Sequence, residues 1–238
     1  MKYLDLTCAT PAENLACDEA LLLEVEEGSA AEALRLWEPR GSFVVLGHGS
    51  RTEREVALAA CRAARVPVLR RPSGGAAVLQ APGCLNYTLV LKITPRGLAD
   101  VAATNAYVMT RLKSALEPLV GAPIAIEGFT DLAIGGRKFS GNAQYRKKRA
   151  LLFHGSFLLD CDLHLMEKLL LAPPRQPAYR QRRTHGEFLT NLHIPADALK
   201  TALREGWGAE EELRRVPLDS IERLTRSRYS LKEWNFRI

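Results

Sequence analysis

Between residues 124 and 159 the chain reads as a run of strands punctuated by tight turns. Strand-like segments at 124–126, 131–134, 137–146 and 150–159 are separated by Gly135-Gly136 and by a bend at Lys147-Lys148. Strands joined so closely lie antiparallel, because a parallel crossover needs about a dozen residues or more. Helical patterns flank this block rather than alternate with its strands. They fall at 11–27, 53–64, 100–119, 163–171, 196–206 and 218–229. That order predicts an α+β fold, a mixed and largely antiparallel sheet with helices packed on it, and not a doubly wound nucleotide fold.

The first helix is signalled most strongly. Thr10 reads as its N-cap, Pro11 as its first residue and Glu13 as the partner in a capping box, with Gly28 as the stop. The helix at 100–119 places Val101, Val108, Leu112, Ala115 and Leu119 near one face. Further strands are expected at 34–37 and 43–46 around the turn Pro39-Arg40-Gly41, at 66–69, and at 77–79 and 85–93 around Ala81-Pro82-Gly83. Residues 173–183, rich in Pro and Arg, read as a connecting loop. No boundary is visible before about residue 185, so 1–238 is read as one domain, with a sheet-containing core (1–185) and a helical C-terminal part (186–238).

Several classes are excluded by what the chain lacks. Apolar residues make up 47% and charged residues 25%, ordinary for a globular protein and far from a disordered one. No stretch approaches the run of about 20 apolar residues that spans a bilayer, so no membrane association is expected. Asp5 with no apolar run behind it argues against a signal peptide. The five cysteines (Cys8, Cys17, Cys61, Cys84 and Cys161) are odd in number, scattered and free of any CxxC pair, which argues against a disulfide framework or a zinc site. A reducing, cytoplasmic location is the expectation. The net charge of +6 and pI near 9.2 point to an anionic partner. With nine lysines against 24 arginines, a lysine inside a motif stands out.

Three segments carry candidate chemistry. In Arg70-Arg71-Pro72-Ser73-Gly74-Gly75-Ala76-Ala77, glycines permit close backbone approach, successive N–H groups can hold an anion, and the guanidiniums can grip carboxylate or phosphate oxygens. Alone, it also reads as a surface turn with two solvated arginines. In the hairpin 131–142, Lys138 and Ser140 are two apart and are expected on one sheet face. Lys138 there can hold a carboxylate and steady developing charge, and Asp131 opposite can hold Mg²⁺. Alone, Lys138 reads better as an ordinary solvated lysine. The third is His154 with Gly155 beside it, in an apolar strand where a histidine is more often a packing element than a catalyst. The basic cluster Arg146-Lys147-Lys148-Arg149 reads as a solvated hairpin tip or a docking patch for an acidic partner. It lacks interleaved aromatics, and the chain shows no zinc-finger or RRM-type signature, so nucleic acid is not the expected partner.

Taken in order, these segments resemble the lipoate–protein ligase A and octanoyltransferase family, relatives of the biotin protein ligases. The resemblance runs through nearly the whole chain: Pro11 to Ala20, Leu36-Trp37-Glu38-Pro39, Val44-Val45-Leu46-Gly47, an RRxSGG loop at Arg70 to Gly75, Thr130-Asp131, a GRKxSGNAQ signature at Gly136 to Gln144, His154-Gly155-Ser156, and Tyr229 to Asn235. It implies a catalytic fold of the biotin ligase and class II synthetase kind. It implies ATP-dependent ligation, in which ATP and Mg²⁺ turn lipoate into lipoyl-adenylate. The lipoyl group then passes to a lysine of a lipoyl domain or a glycine-cleavage H-like acceptor protein. Lys138 is then the catalytic residue. The substrate and adenylate contacts fall on Trp37, Arg70, Arg71, Ser73, Gly74, Gly75, Ala76, Ala77, Val78, Asn86, Thr130, Asp131, Ser140, Gly141, Ala143 and His154. Apolar side chains around Trp37 and Val45 line the acyl tunnel.

This sequence departs from the family pattern in places. Ala76 stands for a usual third glycine, Gln80-Ala81 for His-Asp, and Cys84 for Asn, while His48-Gly49-Ser50-Arg51 replaces an Arg-x-Gln-Asn-like segment. The chain stops where many of the ligases begin an accessory domain, so a separate small accessory subunit is expected, or else a transferase that takes an acyl group already activated. The family's cysteine-dependent transferases carry their nucleophile upstream of the 131–138 hairpin, and residues 121–128 contain no cysteine. That favours ATP-dependent ligation over an octanoyl or lipoyl acyltransferase. A basic nucleic-acid-binding module is the remote alternative, since it leaves the glycine loop and Lys138 unexplained.

Overall fold

The structure, a computed structural model, describes residues 1–93 and 98–237. Its elements run β1 (Lys2–Asp5), α1 (Pro11–Glu27), β2 (Ala33–Trp37), β3 (Phe43–Leu46), α2 (Thr52–Glu55), α3 (Leu58–Ala63), β4 (Val68–Arg70), β5 (Val78–Gln80), β6 (Cys84–Lys92) and α4 (Val101–Val120). There follow β7 (Ala125–Glu127), β8 (Asp131–Ile134), β9 (Arg137–Arg146), β10 (Ala150–Leu158), α5 (Leu163–Leu169), a 3-10 turn (Ala178–Arg180), α6 (His185–Phe188) and α7 (Ala196–Trp207). The chain closes with β11 (Glu211–Glu212), α8 (Leu218–Leu224), a π-helical turn (Thr225–Tyr229) and α9 (Lys232–Asn235).

Eight strands form one sheet in the order β11-β1-β2-β6-β10-β9-β8-β7. Only the pairs of β1 with β11 and with β2 are parallel. The rest are antiparallel, so the mixed, largely antiparallel α+β architecture expected from the turn spacing is what forms. Both faces of this sheet are covered. One packs Leu34, Leu36, Leu85 and Leu89 under α4 and α7, through Val108, Leu112, Leu199 and Leu203. The other packs Trp37, Val90 and Leu152 under α1 and α8, through Leu15, Leu22 and Ile221. Burial on both faces explains why β6 is apolar almost throughout, with Asn86 and Thr88 as its buried polar exceptions.

The capping box of α1 forms as its sequence dictates. Glu13 N–H donates to Thr10 Oγ1, and Thr10 N–H donates to Glu13 Oε2. Gly28 closes the helix in the left-handed conformation at φ 81°. Three expectations are corrected. The helix expected over 53–64 is two short helices, parted where Val56 turns extended and bridges Leu170; a β-branched residue gives up helical geometry readily when a strand partner is at hand. The turns at 39–41 and 81–83 do not make hairpins. They carry the chain between sheets, because β3, β4 and β5 form a separate small sheet in the order β4-β3-β5. Turn chemistry reverses a chain but does not choose its partner. The basic tip is also less free than it reads: Arg146 reaches back to Thr104 Oγ1 and the Leu98 carbonyl at the start of α4.

Candidate active site

The β8–β9 hairpin turns at Gly135 and Gly136, both at positive φ (56° and 72°), which a residue with a Cβ resists. A bulge follows: Ala133 lies opposite Lys138, yet Leu132 lies opposite Ser140, leaving Phe139 as the extra residue. Strict alternation therefore fails here. Lys138 shares its face with Asp131 and Gly141 rather than with Ser140. Lys138 Nζ lies 2.7 Å from Asp131 Oδ1, and Tyr179 donates to Asp131 Oδ2 at 2.8 Å. A Cβ on Gly141 would come within 2.6 Å of Lys138 Nζ, so glycine there makes room for the lysine. Burial and then the Asp131 carboxylate push the Tyr179 phenol well above its ordinary range.

The glycine loop is held from the inside. Arg71 donates to Ser73 Oγ and to the carbonyls of Val45, Gly74 and Ala76. Burial lowers its pKa to about 10. Arg70 donates to the carbonyls of Gly47, His48, Ser50 and Asn235. Most N–H groups of this pair are engaged on main-chain oxygens, so the arginines shape the loop, while Arg70 Nη2 has no partner among the described residues. Ser73, likewise buried, forms a 2.6 Å hydrogen bond with His154 Nε2. Glu55 accepts from Ala77 N–H and Ser50 Oγ and so anchors the far end of the loop. Gly47 must be glycine, since a Cβ would lie 1.9 Å from the Gly75 carbonyl oxygen.

Under the loop lies a buried charged cluster. His154 Nδ1 is 3.7 Å from Asp18 Oδ2, and Asp18 Oδ1 accepts from Arg35 at 2.5 Å. Burial raises the Asp18 pKa, but Arg35 and His154 outweigh it and hold the carboxyl below the usual range. Arg35, fully buried in β2, also donates to Asn14 Oδ1 and the Leu6 carbonyl. The Asn142 side chain ties this region to the hairpin, accepting from Tyr87 and donating to the Thr130 carbonyl.

These groups surround one cavity of about 790 Å³. Of the residues singled out from sequence, Lys138, Asp131, Thr130, Ser140, Gly141, Ala143, His154, Asn86, Trp37 and Val78 line it, as do Arg71 and the loop from Gly74 to Ala77. Arg70 and Ser73 lie behind the lining. Val45 and Leu15 add apolar wall beside Trp37. The stretch at 173–183 is more than a connector, for Pro173 to Pro177 and Arg180 form one wall.

Asp18, Glu55, Tyr179 and His185 were not foreseen. Asp18 and Glu55 sit in helical segments where an acid reads as solvent-facing, and Tyr179 lies in a loop without periodicity. Only the oddity of Asp18-Glu19 inside the apolar run of α1 was a usable signal. Among the described residues, no group of three His, Cys, Asp or Glu side chains could hold a metal. Asp131 Oδ1 faces Lys138 Nζ and Oδ2 accepts from Tyr179, and each oxygen keeps a lone pair, so a Mg²⁺ there would rest on this one carboxylate together with substrate phosphate oxygens. No cysteine lines the cavity among the described residues. Also among them, no helix is long and apolar enough to cross a membrane.

Comparison with known proteins sets this geometry in context. The family model for the lipoyl protein ligase A/B catalytic domain matches residues 10–202. The chain is 31% identical to an Aeropyrum pernix protein whose curated name is that of a lipoate-protein ligase A, over 96% of this chain and 89% of that one. It is 24% identical to the octanoyltransferase LipM of Bacillus subtilis, over 99% and 98%. Its fold is similar to that of a lipoate-protein ligase A bound with ATP, at a TM-score of 0.85 with 23% identity over 99% and 98% of the two chains.

Proposed function

Because this chain belongs to the lipoyl protein ligase A/B catalytic-domain family, we propose that it is an ATP-dependent lipoate–protein ligase. The reaction has two halves. The lipoate carboxylate attacks the α-phosphorus of ATP and pyrophosphate leaves. A lysine amine of an acceptor lipoyl domain then attacks the acyl carbon, the amide forms, and AMP leaves with a proton released. A free carboxylate is a poor electrophile, and activation of this kind is what amide formation from it needs.

The observation that carries the reading is a cavity with a fixed ammonium and no thiol among its described lining residues. Lys138, steadied by Asp131 at 2.7 Å, places positive charge where negative charge builds in both halves. The backbone of Gly74 to Ala77 borders the same space, and Trp37, Val45 and Leu15 offer an apolar bed for the acyl chain. Magnesium enters as the counter-ion of ATP, and no step is assigned to it here. A cysteine-dependent acyl transfer from a carrier would need a nucleophile. Cys84, near the glycine loop in sequence, is 1% exposed and outside the cavity lining. The positive net charge suits an acidic acceptor. A bipartite lipoate ligase of Thermoplasma acidophilum, described together with its E2 lipoyl domain, has a similar fold at TM-score 0.81 and 22% identity. By that analogy a lipoyl domain is the acceptor to try, with and without a small accessory subunit.

The test is mass spectrometry of a lipoyl domain incubated with the protein, lipoate and ATP. The expected result is one lipoyl adduct that vanishes when ATP is left out. An acyl adduct formed from an octanoyl-carrier protein without ATP, with none from lipoate and ATP, would replace this reading by the transferase one.

A further inference from the structure

Outside the cavity, the structure holds a pair of thiols that the proposed reaction does not use. Cys84 opens β6, and Cys161 follows β10; their Sγ atoms are 2.8 Å apart. Both are free thiols, 1% and 5% exposed, in an apolar cluster with Leu79, Met166 and Leu169. The backbone brings them together. Leu159 and Asp160 both donate N–H to the Gly83 carbonyl, and a Cβ on Gly83 would lie 2.2 Å from the Asp160 carbonyl oxygen. Asn191 clamps Cys161 from the other side, accepting from its N–H and donating to its carbonyl.

We propose that Cys84 and Cys161 are a disulfide-forming site, a reversible redox staple behind the cavity wall. A disulfide needs its sulfurs at about 2.05 Å, under an ångström closer than they already are. With the two sulfurs in contact, either can donate to the other, so one thiol can give up its proton beside a partner ready to complete the exchange. The oxidant is a small-molecule disulfide. The Cys84 thiolate attacks it, forming a mixed disulfide and expelling one thiolate. Cys161 then attacks the Cys84 sulfur and expels the second. Two electrons pass from the cysteine pair to the oxidant, and the two thiol protons end on the two released thiolates. The bond joins residues 77 apart in sequence and ties β6, which carries Asn86, to the segment entering α5, whose Met166 lines the cavity. This site stands independently of whether the protein is a ligase or a transferase.

The experiment incubates the full chain with oxidised glutathione, up to temperatures that open the structure, then alkylates it under denaturing conditions and digests it. The expected result is a cross-linked peptide joining Cys84 to Cys161, three alkylated cysteines of the five, and a melting temperature about 10 °C above that of the reduced protein. Cys84→Ser and Cys161→Ser, either of which suffices if the other folds poorly, lose both effects, while Cys61→Ser keeps them. Five alkylated cysteines, a link between other cysteines, a glutathione adduct that goes no further, or a link that leaves the melting temperature unchanged would overturn the proposal.

Discussion

Replacing Gly47 by alanine tests whether the glycine loop is placed by main-chain contact. The added Cβ would sit 1.9 Å from the Gly75 carbonyl oxygen and 3.2 Å from the Gly74 carbonyl carbon, where ordinary contact begins at 3.4 Å. The two backbones must therefore part by roughly 1.5 Å, and backbone cannot swing aside as a flexible side chain does. Overpacking of this kind costs about 1–3 kcal/mol, which lowers the melting temperature of a chain this size by roughly 3–10 °C. Arg70 and Arg71 tie the displaced loop to Gly47 and to β3 just before it, so part of the shift reaches the cavity. A displacement of about 1 Å at reacting groups costs on the order of 100-fold in rate. Thermal melts and single-turnover acylation of a lipoyl domain read the two effects separately. A Gly47→Ala protein with unchanged melting and unchanged turnover would show that main-chain contact does not place the loop.

Lys138→Ala should keep its melting temperature within a few degrees, since the side chain is part-exposed, while the rate falls on the order of 100-fold or more; near-normal turnover would remove Lys138 from the chemistry. Asp18→Ala leaves the buried Arg35 guanidinium without its carboxylate and should cost about 3–5 kcal/mol in denaturant unfolding; a loss under 1 kcal/mol would contradict the pairing. Burial, helped by Arg180 and Lys138, lowers the His185 pKa to about 4. The unfolded chain then binds a proton that the folded one refuses between about pH 6.5 and 4. Stability from this group is complete above pH 6.5 and is lost as pH falls toward 4, by on the order of 1–2 kcal/mol after solvent screening of its exposed part. His185→Gln should flatten the melting curve against pH in that window by this amount, and identical curves would refute the assignment.

What the sequence made legible was local. The capping box of α1 needs only residues 10–13, and the meander from β7 to β10 needs only tight turns and alternation. The split into two sheets was not legible, because Pro39-Arg40-Gly41 and Ala81-Pro82-Gly83 look the same whether the next strand pairs or leaves. The bulge at Phe139 was hidden for a related reason: one extra residue changes which side chains share Lys138's face without altering the pattern of apolar residues. Of the two arginines in the family motif, Arg71 lines the cavity and Arg70 lies behind it. Their partners, main-chain carbonyls from Val45 to Asn235, come from segments that no spacing rule connects. The Tyr179 hydrogen bond to Asp131 likewise spans 48 residues.

The central claim is that this cavity activates a carboxylate with ATP before any acceptor arrives. Lipoate-dependent exchange of labelled pyrophosphate into ATP isolates that step from transfer. The expected exchange needs lipoate, is lost in Lys138→Ala, and persists in Cys84→Ser. Absence of exchange with and without a candidate accessory subunit, while acyl groups still move from a carrier to the lipoyl domain without ATP, would contradict it.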